Sequence, residues 1–338
     1  MLETSKSIYF YIDTINQKFP GYSKIIDNIV LHVPNAKIIT NIDFLEGGEI
    51  IVPLGVNSSL EVLKKNIPCE TSFLVDAPTL GFLSIIRFYF KKKKFINNEI
   101  VQMALRYVKY SFIERRLVKN YKKVVVVSNY DRDYLKRRYN CQNIYTVANG
   151  ADMPKEFLQK KKSFNFTFGF LYYWGVNNSI MDIDWFINEY LPILRDKFPN
   201  LRIVAAGKGA DEYAKGYFNQ NNIEFIGEVN SLDEFYDEID IYITTVRKEC
   251  GILNKVLDSF AHKKIVIALQ HNMSAFVDLE KGFLTYNSVE ELISKIEFVR
   301  DNQDIVEEIT NNAFNFILEE HSWEKNYSEL NDLILSKS

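Results

Sequence analysis

The chain has 338 residues, 47% of them hydrophobic and 25% charged, enough to bury cores for about two domains of roughly 150 residues each. No apolar run reaches the ~20 residues needed to span a bilayer, and the segment 1–6 (MLETSK) lacks the basic-then-apolar layout of a secretory signal, so a cytoplasmic protein is expected. Three unpaired cysteines (Cys69, Cys141, Cys250) and four scattered histidines exclude a disulfide framework and a spaced metal-ligand motif, so no metal is expected. The net charge of −3 hides an asymmetry. When the chain is divided after Ser163, Lys and Arg number 26 and 15, and Asp and Glu 15 and 29, so the halves carry +11 and −14. Such a first half suits an anionic partner or surface.

Residues 7–13 (SIYFYID) read as a strand, and 17–24 (QKFPGYSK) as a Pro-Gly turn leading into a helix over 23–33. Further strands are predicted at 37–40, 49–53, 72–76, 123–128 and 143–149, with helices near 58–65, 100–119 and 131–139. Strands alternating with helices predict a parallel, doubly wound sheet. The polar run 160–163 (KKKS) reads as a linker. After it, Phe164, Phe166, Phe168 and Phe170 alternate with polar or small residues and restart the strand pattern. A long amphipathic helix is predicted over 180–198, then a strand at 201–207, a helix at 211–219 and a strand at 223–229. Ser231-Leu232-Asp233-Glu234 and Ser288-Val289-Glu290-Glu291 read as capping boxes opening two more helices. The second half is therefore also a doubly wound sheet.

The stretch 239–269 organises this half. Residues 241–246 and 264–269 have the composition of buried parallel strands, and Leu253, Val256, Leu257 and Phe260 fall on one face of a helix between them. In such a unit the ligand crevice lies beyond the carboxyl end of the first strand, here Arg247-Lys248-Glu249-Cys250-Gly251. Gly251 permits close approach of the backbone, the following helix start offers N–H groups and a positive dipole end, and Lys255 adds a full charge, which together suit an anion such as a phosphate. Asp258, on the same face as Lys255 and one turn further along, is placed to accept hydrogen bonds from a sugar diol, so the pair describes a nucleotide. The alternative is a solvated i,i+3 pair of a few tenths of a kcal/mol.

The residues VVVVSNYDRDYL (124–135), VANGAD (147–152), FTFGF (166–170), NLRIVAAGKG (200–209), IEFIGEV (223–229), IDIYITT with GILNKVLDSFA (251–261), and HSWEKNYSEL (321–330) resemble, in this order, retaining nucleotide-sugar-dependent glycosyltransferases of the GT-B fold, glycosyltransferase family 4 and its neighbours. The resemblance runs from about Lys123 onward and implies an α/β protein of two Rossmann-like domains facing across a cleft. An acceptor-binding domain is expected at 1–155 and a nucleotide-sugar-binding domain at 164–321, with a helix at 322–338 crossing back onto the first. It puts Asp258 on the donor's ribose hydroxyls, Lys255 and Arg247 on the diphosphate with Lys208 as a further candidate, and backbone N–H groups of Gly251 and Ile252 beside them. Gly227, Glu228 and Val229 would flank the base, and Gly21 would be the glycine turn of the acceptor domain.

The sequence departs from the family at two places. Cys250 stands where the first of two paired glutamates is expected, and a thiol cannot accept sugar hydroxyls as a carboxylate does. Either Glu249 supplies that contact or backbone groups do. In addition, residues 169–181 contain no Lys or Arg, which puts more weight on Arg247 and Lys255. The implied reaction moves a sugar with retention of configuration, without a metal, from a UDP-sugar or another nucleoside-diphosphate sugar to a glycan or lipid-linked glycan. The alternative is a non-catalytic GT-B protein that stabilises or recruits a partner transferase. Asp76, at the end of a predicted strand, is a candidate acceptor contact or base, or else a helix N-cap. The run from Leu80 to Phe95 (LGFLSIIRFYFKKKKF) has the composition of a segment lying in an anionic membrane interface, at the inner face of the cell membrane, or of a buried helix with a solvated basic end. No nucleic-acid recognition motif is present.

Overall fold

The structure, a computed structural model, describes residues 7–43, 48–92, 98–155 and 164–336. The chain divides into two compact units. The first comprises Met1–Gly150, Lys248–Ile252 and His321–Ser338, the second Ala151–Arg247 and Leu253–Glu320. Each is built on a six-stranded sheet whose strand pairs are all parallel. These are the two doubly wound sheets that the alternating pattern predicts.

In the first unit the elements run β1 (Ile8–Ile12), α1 (Pro20–His32), β2 (Ala36–Ile39), β3 (Ile50–Leu54), α2 (Gly55–Lys64), β4 (Thr71–Val75), α3 (Pro78–Lys91), α4 (Asn98–Asn120), β5 (Lys123–Val126), α5 (Asn129–Tyr139) and β6 (Ile144–Thr146). The strand order is β2-β1-β3-β4-β5-β6. Val125 and Val127 face a core with Ile8, Phe10 and Ile29, while Val124 and Val126 face another with Leu80, Leu117 and Leu135. A strand buried on both faces reads as an unbroken apolar run, and this explains the four consecutive valines.

The second unit runs β7 (Thr167–Leu171), α6 (Asn177–Glu189), α7 (Leu191–Lys197), β8 (Arg202–Ala206), α8 (Glu212–Gln220), β9 (Glu224–Gly227), α9 (Leu232–Glu238), β10 (Ile241–Ile243), α10 (Asn254–Ala261), β11 (Ile265–Leu269), β12 (Leu284–Tyr286), α11 (Val289–Asp301) and α12 (Gln303–Glu320). Its strand order is β12-β11-β10-β7-β8-β9. The helix expected over 180–198 is two helices that meet at Tyr190, because Pro192 has no N–H to continue the ladder. The strand expected over 241–246 ends at Ile243. Beyond it the carbonyls of Thr244, Thr245 and Val246 accept from the side chains of Tyr286, Trp185 and Asn272 at 2.8, 3.0 and 2.8 Å, so they are not available to a neighbouring strand.

The last helix, α13 (Trp323–Leu335), belongs to the first unit, where Trp323, Tyr327 and Leu330 join the Ile8–Phe10 core. Ser322 caps it by accepting from the Lys325 N–H. Gly150 makes this packing possible, since a Cβ there would lie 2.4 Å from Trp323 Cγ and 2.5 Å from its backbone nitrogen. Gly150→Ala is therefore expected to cost about 1–3 kcal/mol in urea unfolding, and an unchanged midpoint would show that α13 shifts freely.

Candidate functional site

In the second unit, chain progression reverses between β7 and β10, the point at which open α/β sheets place ligands beyond their carboxyl ends. Two loops meet there, one after β7 and one after β10. The first carries Tyr172, whose hydroxyl lies 3.0 Å from Thr245 Oγ1 in the second. Gly207, after β8, brings a third strand end close. It has φ +130°, its N–H donates to Gly227 O at 2.8 Å, and an added Cβ would lie 1.8 Å from Tyr172 O, so only glycine fits.

Arg247 closes the β10 loop. Its guanidinium is turned inward, 2% exposed, with Nε 2.9 Å from Asp182 Oδ1 on α6, and its backbone N–H reaches the same oxygen at 3.3 Å. Burial pushes the Asp182 carboxyl up, against the pull of the Arg247 guanidinium. Arg247 thus anchors the end of the loop to α6. Lys255 lies in the first turn of α10, half-buried, with Nζ 3.1 Å from the centroid of the Tyr172 ring. Burial lowers its ammonium pKa to about 7, while Asp182 pulls the other way. Asp258, 5% exposed, sits one turn further along α10, where His262 bridges its carbonyl oxygen (2.7 Å) and the Asp233 carboxylate (2.9 Å). Lys208 is paired with Glu228 at 2.6 Å, both partners exposed, and Val229 follows half-buried.

The loop then supplies residues Lys248–Ile252 to the first unit. Lys248 Nζ meets Asp76 Oδ2 at 2.5 Å, and Cys250 Sγ lies 3.8 Å from the same oxygen. Burial raises the Cys250 thiol well above its usual range. The Glu249 N–H donates to Ser84 Oγ, and its carboxylate accepts from Tyr130 Oη, each at 2.8 Å. Asp131 is the centre of this group. It accepts from the N–H groups of Ala77 (3.0 Å) and Gly251 (2.8 Å) and from Ser128 Oγ. Burial, with Asp76 beside it, pushes its carboxyl up to about 6 against those hydrogen bonds.

Several expectations change in detail. The Gly251 N–H is committed to Asp131, and α10 starts at Asn254, so the positive helix end lies at Asn254 and Lys255 and not at Gly251 and Ile252. Asp76 does not cap α3, whose N-cap Ala77 has no side-chain cap; it binds Lys248 instead. Gly21 lies within the first turn of α1, behind Pro20, whereas Gly55, at the β3–α2 junction, is one of the glycines of the first unit with a positive φ (+84°). Of the run from Leu80 to Phe95, Leu80 and Phe88 are core, Arg87, Phe90 and Lys91 are exposed, and residues 93–95 lie outside the described residues. Tyr172, Asp182 and Asp131 were not singled out from sequence, and Lys248 was named only as part of the loop 247–251. Only Asp131 had a signal there, the capping pattern Ser128-x-x-Asp131.

The first sheet's order, the second sheet's reversal and the strand-end loops define a GT-B fold, and comparison with known proteins agrees. Residues 170–302 match the family described as Glycosyl transferases group 1. An uncharacterized glycosyltransferase of Methanocaldococcus jannaschii is 26% identical over 250 residues, 71% of this chain and 61% of the relative. Sucrose-phosphate synthase of Thermosynechococcus elongatus superposes with a TM-score of 0.72 at 12% identity, covering 97% of this chain and 98% of that one. HepE of Anabaena, solved with UDP and glucose, gives 0.67 at 10% identity, covering 97% and 99%. TarM gives 0.61 at 16% identity, with 85% of this chain spanning 55% of that one. The chain thus resembles group 1 glycosyltransferases and has their GT-B architecture, while spanning about three fifths of the length of its archaeal relative.

Asp131 makes one prediction within the first unit. Its folded pKa lies above the ordinary 3.8, so it contributes stability that is complete below about pH 4 and lost as the pH rises through about 6, on the order of 2–3 kcal/mol. Asp131→Asn cannot titrate. The gap in unfolding free energy between wild type and this variant should therefore narrow between pH 4 and 7 in urea titrations, and a constant gap would mean an ordinary carboxylate.

Proposed function

We propose that the protein is a glycosyltransferase that moves a hexose or similar sugar from a nucleoside-diphosphate donor such as a UDP-sugar to a glycan or lipid-linked glycan, with retention of configuration and without a metal. The observation that carries this reading is Lys255, a desolvated cation in the first turn of a helix, held over Tyr172 at the reversal point of the second sheet. A diphosphate there would meet a full charge and the positive end of α10 together. The acceptor hydroxyl would attack the anomeric carbon on the face from which the nucleotide leaves, and the charge growing on the leaving diphosphate would be stabilised by groups already in place.

In this reading Asp258 accepts the ribose hydroxyls, Gly227, Glu228 and Val229 flank the base, and Lys208 is an outlying anion contact. Arg247 holds the loop through Asp182. Glu249, oriented by Tyr130, stands for the carboxylate missing at Cys250, with the backbone at Gly251 and Ile252 beside it, and Asp76 is an acceptor-side candidate in the first unit. HepE was solved with UDP and glucose, which supports this donor class. The location that goes with it is the cytoplasm, peripheral to the inner membrane face, motivated by the +11 charge of residues 1–163. A second reading, a non-catalytic GT-B protein that supports a partner transferase, is favoured by Cys250, which faces the Lys248–Asp76 pair where a sugar-binding carboxylate is expected.

Thermal stabilisation by a panel of nucleotide sugars, followed by turnover assays, separates the two readings, and a protein that binds none of them is not a transferase. Lys255→Ala should weaken donor binding about ten- to a hundredfold, the equivalent of a charge-assisted hydrogen bond of about 1.5–3 kcal/mol. Donor affinity of the wild type should also fall as the pH rises above about 7, because binding must then recharge Lys255. The variant should show no such slope, and a wild type without one would remove Lys255 from the site.

A further inference from the structure

α4 carries apolar residues on two opposite faces. One is core: Met103, Leu117 and Val118 are buried. The other is bare. Val101, Leu105, Val108 and Phe112 are 59%, 67%, 54% and 71% exposed, and their spacing of i, i+4, i+7 and i+11 aligns them in a stripe about three turns long. Single exposed apolar residues are ordinary, but four aligned on one helix form a contiguous patch of the kind that marks an interaction surface.

The charges beside the stripe identify its occupant. Lys109 and Arg116 flank it on one side, Arg115 on the other, and Lys119 continues it, all four exposed. At this end Phe112, Arg115 and Lys119 join Arg138 around an open groove of about 540 Å³. Arg138 is fixed there by hydrogen bonds to Tyr107 Oη (2.8 Å), Ser111 Oγ (2.8 Å) and Tyr139 Oη (3.1 Å). An apolar protein surface, or a second copy of this helix, would leave these cations facing nothing of opposite sign or facing each other. Anionic headgroups answer the cations while acyl chains cover the stripe.

We propose that this face of α4 lies in the interface of an anionic phospholipid bilayer, with Val101, Leu105, Val108 and Phe112 at the acyl boundary, the flanking cations at lipid phosphates and the Arg115–Arg138 groove on a headgroup. The helix lies on the membrane and does not cross it, since among the described residues no helix is long and apolar enough to span. This gives a specific surface to the peripheral location proposed above and moves it from α3 to α4. It is independent of the donor chemistry.

Flotation with vesicles of phosphatidylcholine alone or containing phosphatidylglycerol, in the absence of any nucleotide sugar, tests it. The wild type should float only with the anionic vesicles and less so as salt rises. The double variant Leu105→Glu/Phe112→Glu should stay in solution, and Lys109→Gln/Arg116→Gln should bind about fivefold more weakly per charge removed. Equal binding to both vesicle types, or wild-type flotation of both variants, overturns the proposal. A lipid-independent dimer that dissociates in Leu105→Glu/Phe112→Glu, with no vesicle binding by the wild type, overturns it too. Donor-induced thermal stabilisation is measured on the same proteins. If it persists where flotation is absent, the surface has failed and the transferase reading has not.

Discussion

The buried pair between Arg247 and Asp182 is the constraint on which the second unit's site depends. Two opposite charges removed from water are stable only with near-ideal geometry and further hydrogen bonds, and removing one partner of such a pair typically costs about 3–5 kcal/mol. Here Asp182 accepts from both the side chain and the backbone of Arg247, which fixes the end of the β10 loop to α6. The preceding residues are clamped as well: Tyr286, Trp185 and Asn272 each donate to a loop carbonyl. A loop held at four successive residues has little freedom to adjust to a ligand. It forms a fixed wall beside Tyr172 and Lys255, and in the proposed reading that wall would supply groups already in place before reaction.

The first unit uses a single carboxylate in a comparable way. Asp131 lies in the first turn of α5, and its two oxygens join that turn to the β4–α3 loop through Ala77 and to the inserted segment through Gly251. The cost is a desolvated acid with a raised pKa; the gain is a fixed path for Lys248–Ile252. This path decides what Cys250 and Glu249 can do. Cys250 is turned toward Asp76 and Lys248, whereas Glu249 is held at its carboxylate by Tyr130. A carboxylate one residue from the expected position is thus oriented by a partner, and a thiol at the expected position is not available as a sugar-hydroxyl acceptor.

The fold was legible because both sheets are buried on two faces, so each strand appears as an apolar run and each intervening helix as a 3.6-residue pattern. The runs failed where the reason for burial was different. Residues 244–246 are as apolar and β-branched as a strand, yet they are loop because side chains rather than a neighbouring strand satisfy their carbonyls. Lys255 and Asp258 were legible from helical spacing after a strand. Asp182 and Tyr172 were not, because they come from the loop and helix after β7 and reach Lys255 and Arg247 only through the strand order. Arg247 shows the same limit: its position in the chain marks it as a strand-end loop residue, and only the location of Asp182 shows that it is turned inward.

Lys255 shows why an inward-turned arginine and a desolvated lysine are complementary choices. Arginine stays charged in almost any surroundings, so it can serve as a permanent anchor for Asp182. A lysine loses charge readily when water is withdrawn, and burial brings this one down to about 7. An ammonium so poised is opposed by burial and supported by Asp182 alone among the charges acting on it, and in the proposed reading a diphosphate would add to that counter-charge. In that reading the ammonium would favour the state in which negative charge is greatest, which in glycosyl transfer is the departing diphosphate rather than the intact donor. The Tyr172 ring, 3.1 Å away, is suited to this because its face attracts the cation without competing as a hydrogen-bonding anion would. A carboxylate in the place of that ring would have kept Lys255 charged to higher pH and, in the proposed reading, left less of its interaction for a leaving diphosphate.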